Sequence, residues 1–360
     1  MLKEKIIIKI GSNVLCGEKR CLDLDLIQRL VGQVSVLCDE GHQVVLVTSG
    51  AVAGGRDIFK NSEGMSKAVL AAVGQAEIIN YYCRFFGEHK IKIAQLLLSP
   101  NCFKNRNRYN VLKETLTELT NNQIVPIINE NDATASQDSF GDNDSLASML
   151  AVLYGADKLV FLTNLDGLYS ADPKINQKAE IVKEVKSVDL EIQKMCSKKA
   201  STLGSGGMLS KLRGAKLAAT CGVEAYIING LNPENLRRLL IEHKFIGTKF
   251  LAQKGRLSER KKWLLIGVAS QGKIIVDQGA RKALENNNSL LAVGVRDIKG
   301  EFAAKDFVNI VDQKGEIFAL GITDYGSDDL LRLKALKDKI SIKEIYQREV
   351  VHINNLTLLR

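Results

Sequence analysis

The chain has 360 residues, of which 45% are hydrophobic and 25% are charged, as in ordinary globular proteins. This length predicts a large core and two domains. The sequence shows no signal-peptide core and no apolar stretch of about 18 residues, so we expect a soluble, cytoplasmic protein without membrane contact. Seven cysteines without a CxxC pair and four scattered histidines argue against a disulfide framework and a structural metal site.

Six short runs rich in β-branched residues predict strands within residues 1–250. They are KIIIKI (5–10), QVVLVTS (43–49), IKIAQLLL (91–98), IVPIIN (124–129), KLVFLT (158–163) and AYIIN (225–229). Most are continuous apolar runs, which are typical of strands buried on both faces of a sheet. Helical patterns lie between them, and one is capped by Asp142 or Asn143 and stopped by Gly155. The alternation predicts an α/β fold, a three-layer αβα sandwich with a mostly parallel sheet.

The pattern changes after residue 252. Segment 253–266 is charged and non-periodic, and we interpret it as a linker between a first domain over 1–252 and a second over 267–360. Short strands separated by glycine turns predict that the second domain is small and β-rich. From residue 251 onward, 19 lysines and arginines face 14 aspartates and glutamates, which gives +5 of the total net charge of +9. A nucleic-acid partner for this part therefore stays open.

Polar and glycine-rich residues recur at the carboxyl ends of the predicted strands, where open α/β sheets bind ligands. The segments are 9–12, 48–50, 129–132, 141–144, 163–164 and 204–207, and the last leads into a helix that carries Lys211. Each has a purely structural explanation: Lys9 can extend to solvent or be paired, and Ser49 can cap a helix. Likewise, 142–144 can start a helix, and 206–207 can be a loop. Their coincidence at one sheet edge favours a common site.

These residue types fit phosphoryl transfer from a nucleotide. Glycines leave backbone N–H groups free for phosphate oxygens, and a helix N-terminus adds partial positive charge. Lys9 and Lys211 can balance the charge that spreads over a transferring phosphoryl group. No histidine stands beside them as a general base, which favours an ionised acceptor, such as a carboxylate, held by Ser49, Asp132 and Asn143. The P-loop, first-strand GxGxxG and protein-kinase signatures are absent from the sequence, so the nucleotide site is of another design.

Six motifs stand out by their content and their order. They are VTSGAVAGG (47–55), LAAVGQ (70–75), VPIINENDA (125–133), FGDNDSLAS (140–148), ADKLVFLTNLDGLYSADP (156–173) and GSGGMLSKL (204–212). Together they resemble the glutamate 5-kinase family of the amino acid kinase superfamily, with a C-terminal PUA-type domain. The resemblance implies transfer of the ATP γ-phosphate to the side-chain carboxylate of L-glutamate, with Mg²⁺ held mainly through phosphates and water. The product, L-glutamyl 5-phosphate, would be the first intermediate from glutamate to proline.

The resemblance also implies roles for individual residues. Lys9 and Lys211 would contact the ATP phosphates, and Asp144 would orient them as the third catalytic residue. The nucleotide site would comprise Lys9, Thr163, Asn164, Ser205, Gly206, Gly207, Met208, Leu209, Ser210 and Lys211. Glutamate would be bound by Ser49, Asp132 and Asn143, and no side chain is assigned to a metal. Many relatives carry aspartate at the position of Asn164, so we expect altered nucleotide affinity here rather than lost activity.

The family further implies inhibition by proline, a homo-oligomer (dimer or tetramer) and a glutamyl-phosphate reductase as a partner. Two alternatives stay open. A relative that acts on acetylglutamate, aspartate, carbamate or a nucleoside monophosphate would share the sheet and the lysines and differ in the acceptor pocket. RNA binding by the C-terminal domain is the other, since PUA modules often bind structured RNA and segment 260–262 is basic. Against it, Phe302, Phe307 and Phe318 are better explained as core than as stacking platforms.

Overall fold

A computed structural model describes residues 3–16, 21–59, 63–134, 139–173, 175–176, 178–195, 207–253, 255, 257–267, 272–337 and 348–359. The chain divides into two compact units, Met1–Arg256 and Leu257–Arg360. The first carries the predicted parallel sheet. The second carries the short strands of the predicted β-rich domain.

The strands of the first unit form one sheet. They are β1 (Lys5–Ile10), β2 (Gln43–Val47), β3 (Lys92–Leu98), β4 (Ile124–Glu130), β5 (Lys158–Thr163), β6 (Glu184–Val185), β7 (Glu224–Asn229) and β8 (Thr248–Phe250). Their order is β3-β4-β2-β1-β5-β7-β8-β6, and each neighbouring pair is parallel except β7–β8. The six predicted strands are all present, and their ends differ from the prediction by at most two residues.

Helices cover both faces of this sheet. They are α1 (Ser12–Leu15), α2 (Leu24–Asp39), α3 (Ala51–Ile58), α4 (Lys67–Glu88), α5 (Asn101–Lys104), α6 (Arg106–Asn121), α7 (Asn143–Tyr154), α8 (Leu190–Lys194), α9 (Met208–Thr220) and α10 (Glu234–Leu240). Buried side chains of α2, α4 and α10 share one core with Ile6 and Ile8 of β1. Ile7, also fully buried, points to the opposite face, where α6, α7 and α9 contact the strands. The predicted three-layer sandwich is confirmed.

Strand β3 departs from the expectation of strands buried on both faces. Its residues alternate in exposure, and Leu97 is 41% exposed. Strand β3 lies at the edge of the sheet, where β4 is its one neighbour among the described strands. The apolar sequence of β3 alone could not reveal this position.

Local signals fix the two helices that flank the site. Helix α7 begins after Asp142, whose Oδ1 accepts a hydrogen bond from Ser145 N at 2.7 Å, and it ends at Gly155. Of the two predicted caps, Asp142 is therefore the one used. Ser49 does not cap α3, because the N-cap is Gly50, whose φ of 95° lies in the left-handed region that favours glycine.

Helices α3 and α4 cross at very close range. A Cβ added to Gly74 would lie 1.8 Å from Ala51 O, and one added to Gly55 would lie 2.0 Å from Leu70 O. The crossing therefore requires glycine at both positions. It holds the start of α3, directly after Ser49, against the middle of α4.

The second unit is built around a five-stranded sheet in the order β11-β9-β12-β13-β15 and a two-stranded pair, β10-β14. These strands are β9 (Lys273–Val276), β10 (Leu290–Leu291), β11 (Val295–Lys299), β12 (Phe307–Val311), β13 (Ile317–Ile322), β14 (Glu349–Val351) and β15 (Leu356–Leu358). The helices are α11 (Glu259–Ile266), α12 (Gln278–Glu285) and α13 (Ser327–Lys337). Phe302, Phe307 and Phe318 are all buried, as expected of core residues. The prediction of a small β-rich domain is confirmed.

The segment interpreted as a linker contains helix α11. Ser258 caps it by accepting a hydrogen bond from Lys261 N at 3.3 Å, and its last four residues, 263–266, are buried. Trp263 packs edge-on against Phe307 with ring centroids 5.0 Å apart. The charged start of the helix hides its periodicity, since the apolar residues follow only at its end. The compact units divide between Arg256 and Leu257, and the domain limits 1–252 and 267–360 stay a prediction.

Candidate active site

Two lysines and one aspartate meet at the carboxyl edge of the sheet. Lys9 Nζ lies 2.7 Å from Asp144 Oδ1 as an ion pair, and Lys211 Nζ donates a hydrogen bond to Asp144 Oδ2 at 3.0 Å. Ser210 Oγ donates to the same Oδ2 at 2.5 Å. Asp144 is 0% exposed, Lys9 5% and Lys211 7%. Lys9 is therefore paired rather than extended to solvent.

Three different elements bring these charges together. Lys9 lies in the middle of the sheet, where β1 pairs with β2 on one side and with β5 on the other. Asp144 is in the first turn of α7, and Lys211 is in the first turn of α9. The two helices approach closely at Gly214, because a Cβ there would lie 2.2 Å from Ser148 Oγ. A change of helix spacing would therefore move Lys211 relative to Asp144.

The electrostatics of this trio, Lys9, Asp144 and Lys211, favour a charged carboxylate on Asp144. Burial opposes ionisation of Asp144, but the ammonium groups of Lys9 and Lys211 outweigh it and lower the pKa of Asp144 to about 2. Burial lowers the pKa of Lys9, with Lys211 adding to this effect and Asp144 opposing it. At neutral pH the aspartate is thus ionised and acts as the counter-charge for both lysines.

A cavity of about 690 Å³ opens above the trio. Six of the predicted site residues line it: Lys9, Ser49, Asp132, Asn143, Thr163 and Lys211. Asp144 lies beneath the wall and reaches the cavity only through the two lysines that it contacts. The volume falls in the range of small-molecule sites, about 300–1,000 Å³.

Amide side chains organise one end of this cavity. Asn143 Nδ2 donates to Thr48 O at 3.0 Å, to Ser49 Oγ at 3.0 Å and to Asn129 Oδ1 at 2.9 Å. Carboxylates of Asp132 and Glu130 lie at the same end. Burial, together with the charge of Glu130, raises the pKa of Asp132. This end suits a ligand that carries a positive group.

The other predicted residues lie at the end of β5 and at the start of α9. Thr163 is 8% exposed at the end of β5, and its hydroxyl lies 3.4 Å from Oδ1 of the exposed Asn164. Gly207 precedes α9, and Met208, Leu209 and Ser210 form the first turn of that helix. Ser205 and Gly206 lie outside the described residues, so their predicted role stays a prediction.

Sequence reasoning missed several residues of the cavity. Asn129 is predicted only as part of a strand end, although it is the hydrogen-bond partner of Asn143. Arg56 and Lys67 line the cavity from α3 and α4, and both are exposed. Neither residue belongs to a strand end, so the pattern that predicts the other site residues does not reach them.

Two negative findings bear on the site. Within the ranges given above, no group of three or more histidine, cysteine, aspartate and glutamate side chains is placed to bind a metal ion. None of the helices in those ranges combines the length and the hydrophobicity that a bilayer crossing requires.

Comparison with known proteins assigns the family. The protein-family model named Amino acid kinase family matches residues 4–229, and the family model named PUA domain matches residues 272–345. This chain belongs to the amino acid kinase family. The solved structure of UMP kinase from Bacillus anthracis has a TM-score of 0.50 and 14% identity, and the match covers 70% of this chain and 98% of that one. At this identity the likeness shows the fold alone.

Two relatives match over most of their length. A protein named Glutamate 5-kinase from Vibrio vulnificus (strain YJ016) is 39% identical, and the match covers 99% of this chain and 96% of that protein. The Glutamate 5-kinase of Aliivibrio fischeri (strain ATCC 700601 / ES114) is 40% identical, with 92% and 91% covered. The resemblance predicted from the six motifs is confirmed, including its amino acid kinase and PUA parts.

Proposed function

We propose that this amino acid kinase transfers the γ-phosphoryl group of ATP to the side-chain carboxylate of L-glutamate, forming L-glutamyl 5-phosphate. The observation that carries the proposal is the pair of buried ammonium groups on Asp144, placed below a cavity with an amide-rich and acidic end. The names and the near-complete overlap of the relatives support glutamate as the acceptor.

The reaction needs charge stabilisation more than acid–base chemistry. A carboxylate oxygen of the acceptor attacks the γ-phosphorus, the bond from phosphorus to the β–γ bridging oxygen breaks, and ADP leaves with that electron pair. The acceptor is already ionised at neutral pH, so no proton has to be removed. Lys9 and Lys211 stabilise the negative charge on the transferring group, and Asp144 holds both ammonium groups in place.

The acceptor would lie across the amide-rich end. Ser49 and Asn143 supply uncharged hydrogen-bonding groups, and Asp132 supplies a carboxylate for the ammonium group of an amino acid. This arrangement predicts selection for an acceptor that carries both a carboxylate and an ammonium group. Acetylglutamate, whose nitrogen is uncharged, would lose the contact with Asp132.

ATP would enter as its magnesium complex. Magnesium commonly keeps several waters and binds through substrate phosphates rather than through a cage of protein ligands. Thr163, Asn164 and the first turn of α9 would contact the nucleotide.

An acyl phosphate can be trapped by hydroxylamine, which gives a hydroxamate that is measured by its iron complex. The purified chain is incubated with Mg-ATP, hydroxylamine and, in parallel reactions, glutamate, aspartate or acetylglutamate. We expect hydroxamate and ADP in equal amounts with glutamate and little product with the other two acceptors. ADP without hydroxamate, or a clear preference for another acceptor, would contradict the proposal.

Other properties rest on the family resemblance alone and stay predictions. They are inhibition by proline, assembly into a dimer or tetramer and association with a glutamyl-phosphate reductase. A cytoplasmic location, expected from the sequence because it shows no signal-peptide core, also stays a prediction. RNA binding by the second unit also stays open. Its three candidate stacking residues, Phe302, Phe307 and Phe318, are buried, which weakens that alternative.

A further inference from the structure

A chain of three amide side chains connects helix α4 to the acceptor end of the cavity. Gln75 Oε1 accepts a hydrogen bond from Asn129 Nδ2 at 2.8 Å, and Asn129 Oδ1 accepts from Asn143 Nδ2 at 2.9 Å. Gln75 is 8% exposed and Asn129 only 2%. Gln75 lies outside the lining of the main cavity, whereas Asn129 and Asn143 line it. Its position in the LAAVGQ motif is not explained by the proposed chemistry.

Backbone groups at two points of the chain fix which end of each amide faces which neighbour. Thr48 O can only accept, so the end of Asn143 that lies 3.0 Å away must be the NH₂ group. Glu130 N–H can only donate, so the end of Asn129 that lies 2.9 Å from it must be the carbonyl oxygen. The NH₂ group of Asn129 then points away from the cavity and requires an acceptor. Gln75 supplies it.

We infer that Gln75 is a positioning residue of the acceptor site. Its carbonyl oxygen holds Asn129 in the orientation in which Asn129 can accept from Asn143, and Asn143 in turn donates to Ser49. In this orientation Asn143 Oδ1 accepts no hydrogen bond from the described residues. That oxygen is buried, so at the acceptor end of the cavity it is a buried acceptor without a partner among those residues. The inference rests on the proposed function, because it assigns a role within the same site.

The backbone around Gln75 is built to hold it in this place. The preceding residue, Gly74, makes the closest contact of the α3–α4 crossing, where an added Cβ would lie 1.8 Å from Ala51 O. This crossing fixes the distance between α4 and the start of α3, and Gln75 follows directly after its closest contact. The motif thus combines a glycine for close approach with a glutamine for orientation.

Loss of the Gln75 carbonyl should affect the acceptor site and spare the phosphate site. Without it, the buried NH₂ group of Asn129 has no acceptor, and a rotated amide would place that group against two other donors, Glu130 N and Asn143 Nδ2. The hydrogen bonds of the amide chain run to Thr48, Ser49 and Glu130 and not to the ion pairs of Lys9 and Lys211. The change should therefore appear in the KM for glutamate.

The test compares Gln75→Met with Gln75→Glu in the hydroxamate assay. Methionine keeps the length of the side chain without a strong acceptor, and glutamate keeps acceptor oxygens. We expect the KM for glutamate to rise about tenfold in Gln75→Met, with kcat and the KM for ATP within about twofold of wild type. In Gln75→Glu the KM for glutamate should stay near the wild-type value. The matched control is Gln95→Leu, because Gln95 lines the small cavity of about 310 Å³ beside Gln75 but is outside the amide chain.

Several results would overturn the inference. One is an unchanged KM for glutamate in Gln75→Met, and another is a KM for glutamate that rises equally in Gln75→Glu. A third is a fall in kcat together with a rise in the KM for both glutamate and ATP in Gln75→Met. If Gln75→Met does not fold, Gln75→Glu still decides, since a raised KM in that variant refutes the acceptor role and a wild-type KM supports it. If wild type forms hydroxamate only with a different carboxylate, the proposed function fails. The KM for that other acceptor is then compared between Gln75→Met and Gln75→Glu, which tests the role of Gln75 independently of the proposed function.

Discussion

Asp144→Asn removes the counter-charge of two buried lysines and keeps the shape of the side chain. In the wild type, the lowering of the Asp144 pKa from its ordinary 3.8 to about 2 corresponds to about 2 kcal/mol of stability at neutral pH. The variant loses this contribution and also leaves Lys9 and Lys211 without the carboxylate of their ion pairs. Breaking a buried ion pair in this way costs about 3–5 kcal/mol. We therefore expect the free energy of unfolding of the first unit to fall by about 3 kcal/mol at pH 7.

The pH dependence gives a second, independent signature. Because its folded pKa is lowered, Asp144 stabilises the wild type above pH 3.8, and this contribution is lost as the pH falls toward 2. In the variant, the pKa of Lys9 falls further below its ordinary 10.5, since the opposing effect of Asp144 is gone. Between this lowered pKa and 10.5 the unfolded chain binds more protons than the folded chain, and the window is wider in the variant than in wild type. Stability of the variant should accordingly rise more than that of wild type from pH 7 to pH 10.

Urea denaturation followed by circular dichroism at both pH values measures these changes. Fluorescence of Trp263, the single tryptophan of the chain, follows the second unit separately. The matched control is Asp142→Asn in the same helix, because asparagine caps helices as well as aspartate and burial already raises the pKa of Asp142. We expect this control to stay within about 0.5 kcal/mol of wild type. An Asp144→Asn variant within about 1 kcal/mol of wild type, with the same pH dependence, would refute the reasoning.

The remaining predictions concern rate, acceptor affinity and packing. Lys211→Ala should lower kcat by about 10²–10³-fold, whereas Lys216→Ala, at an exposed position of the same helix, should leave kcat unchanged. If the two variants form hydroxamate at equal rates, Lys211 does not have the proposed role. Asp132→Asn should raise the KM for glutamate about tenfold and spare the KM for ATP, and an effect confined to ATP would reassign the pocket. Gly74→Ala should lower the free energy of unfolding by about 3 kcal/mol, because its Cβ would lie 1.8 Å from a carbonyl oxygen of α3. Gly87→Ala, with open space around its Cβ on the same helix, should be neutral or slightly stabilising, so a similar loss in both would contradict the packing argument.

The sheet of the first unit was predictable because its strands carry their signal locally. Runs of isoleucine and valine, such as KIIIKI in β1, specify a strand wherever it lies in the sheet. Position in the sheet is a non-local property, and for that reason the exposed edge of β3 is not predictable from its sequence. Helix α11 escapes prediction for a related reason, since its charged first turn resembles a linker until the buried Trp263 is placed against Phe307.

The candidate site was predictable only in part. Residues at strand ends can be chosen from sequence because parallel strands bring their carboxyl ends to one edge, and the structure places Lys9, Thr163 and Asn143 there. The ion-pair partner of a site residue cannot be predicted from the sequence in the same way. Whether Lys9 extends to solvent or meets an anion depends on the packing of α7 against β1. Gln75 lies in the middle of helix α4, 54 residues from its partner Asn129 at the end of β4, so only the folded structure reveals their contact.

The stoichiometry of the trio explains why one carboxylate serves two lysines. Two ammonium groups and one carboxylate leave a net charge of +1 facing the cavity, which attracts a phosphate while each buried charge still has a partner. A second carboxylate would neutralise the trio and remove that attraction. With no carboxylate, burial and repulsion from Lys211 would lower the pKa of Lys9 further below its ordinary value. Asp144 therefore supports the positive charge of Lys9 by opposing the effect of burial, although its own charge is negative.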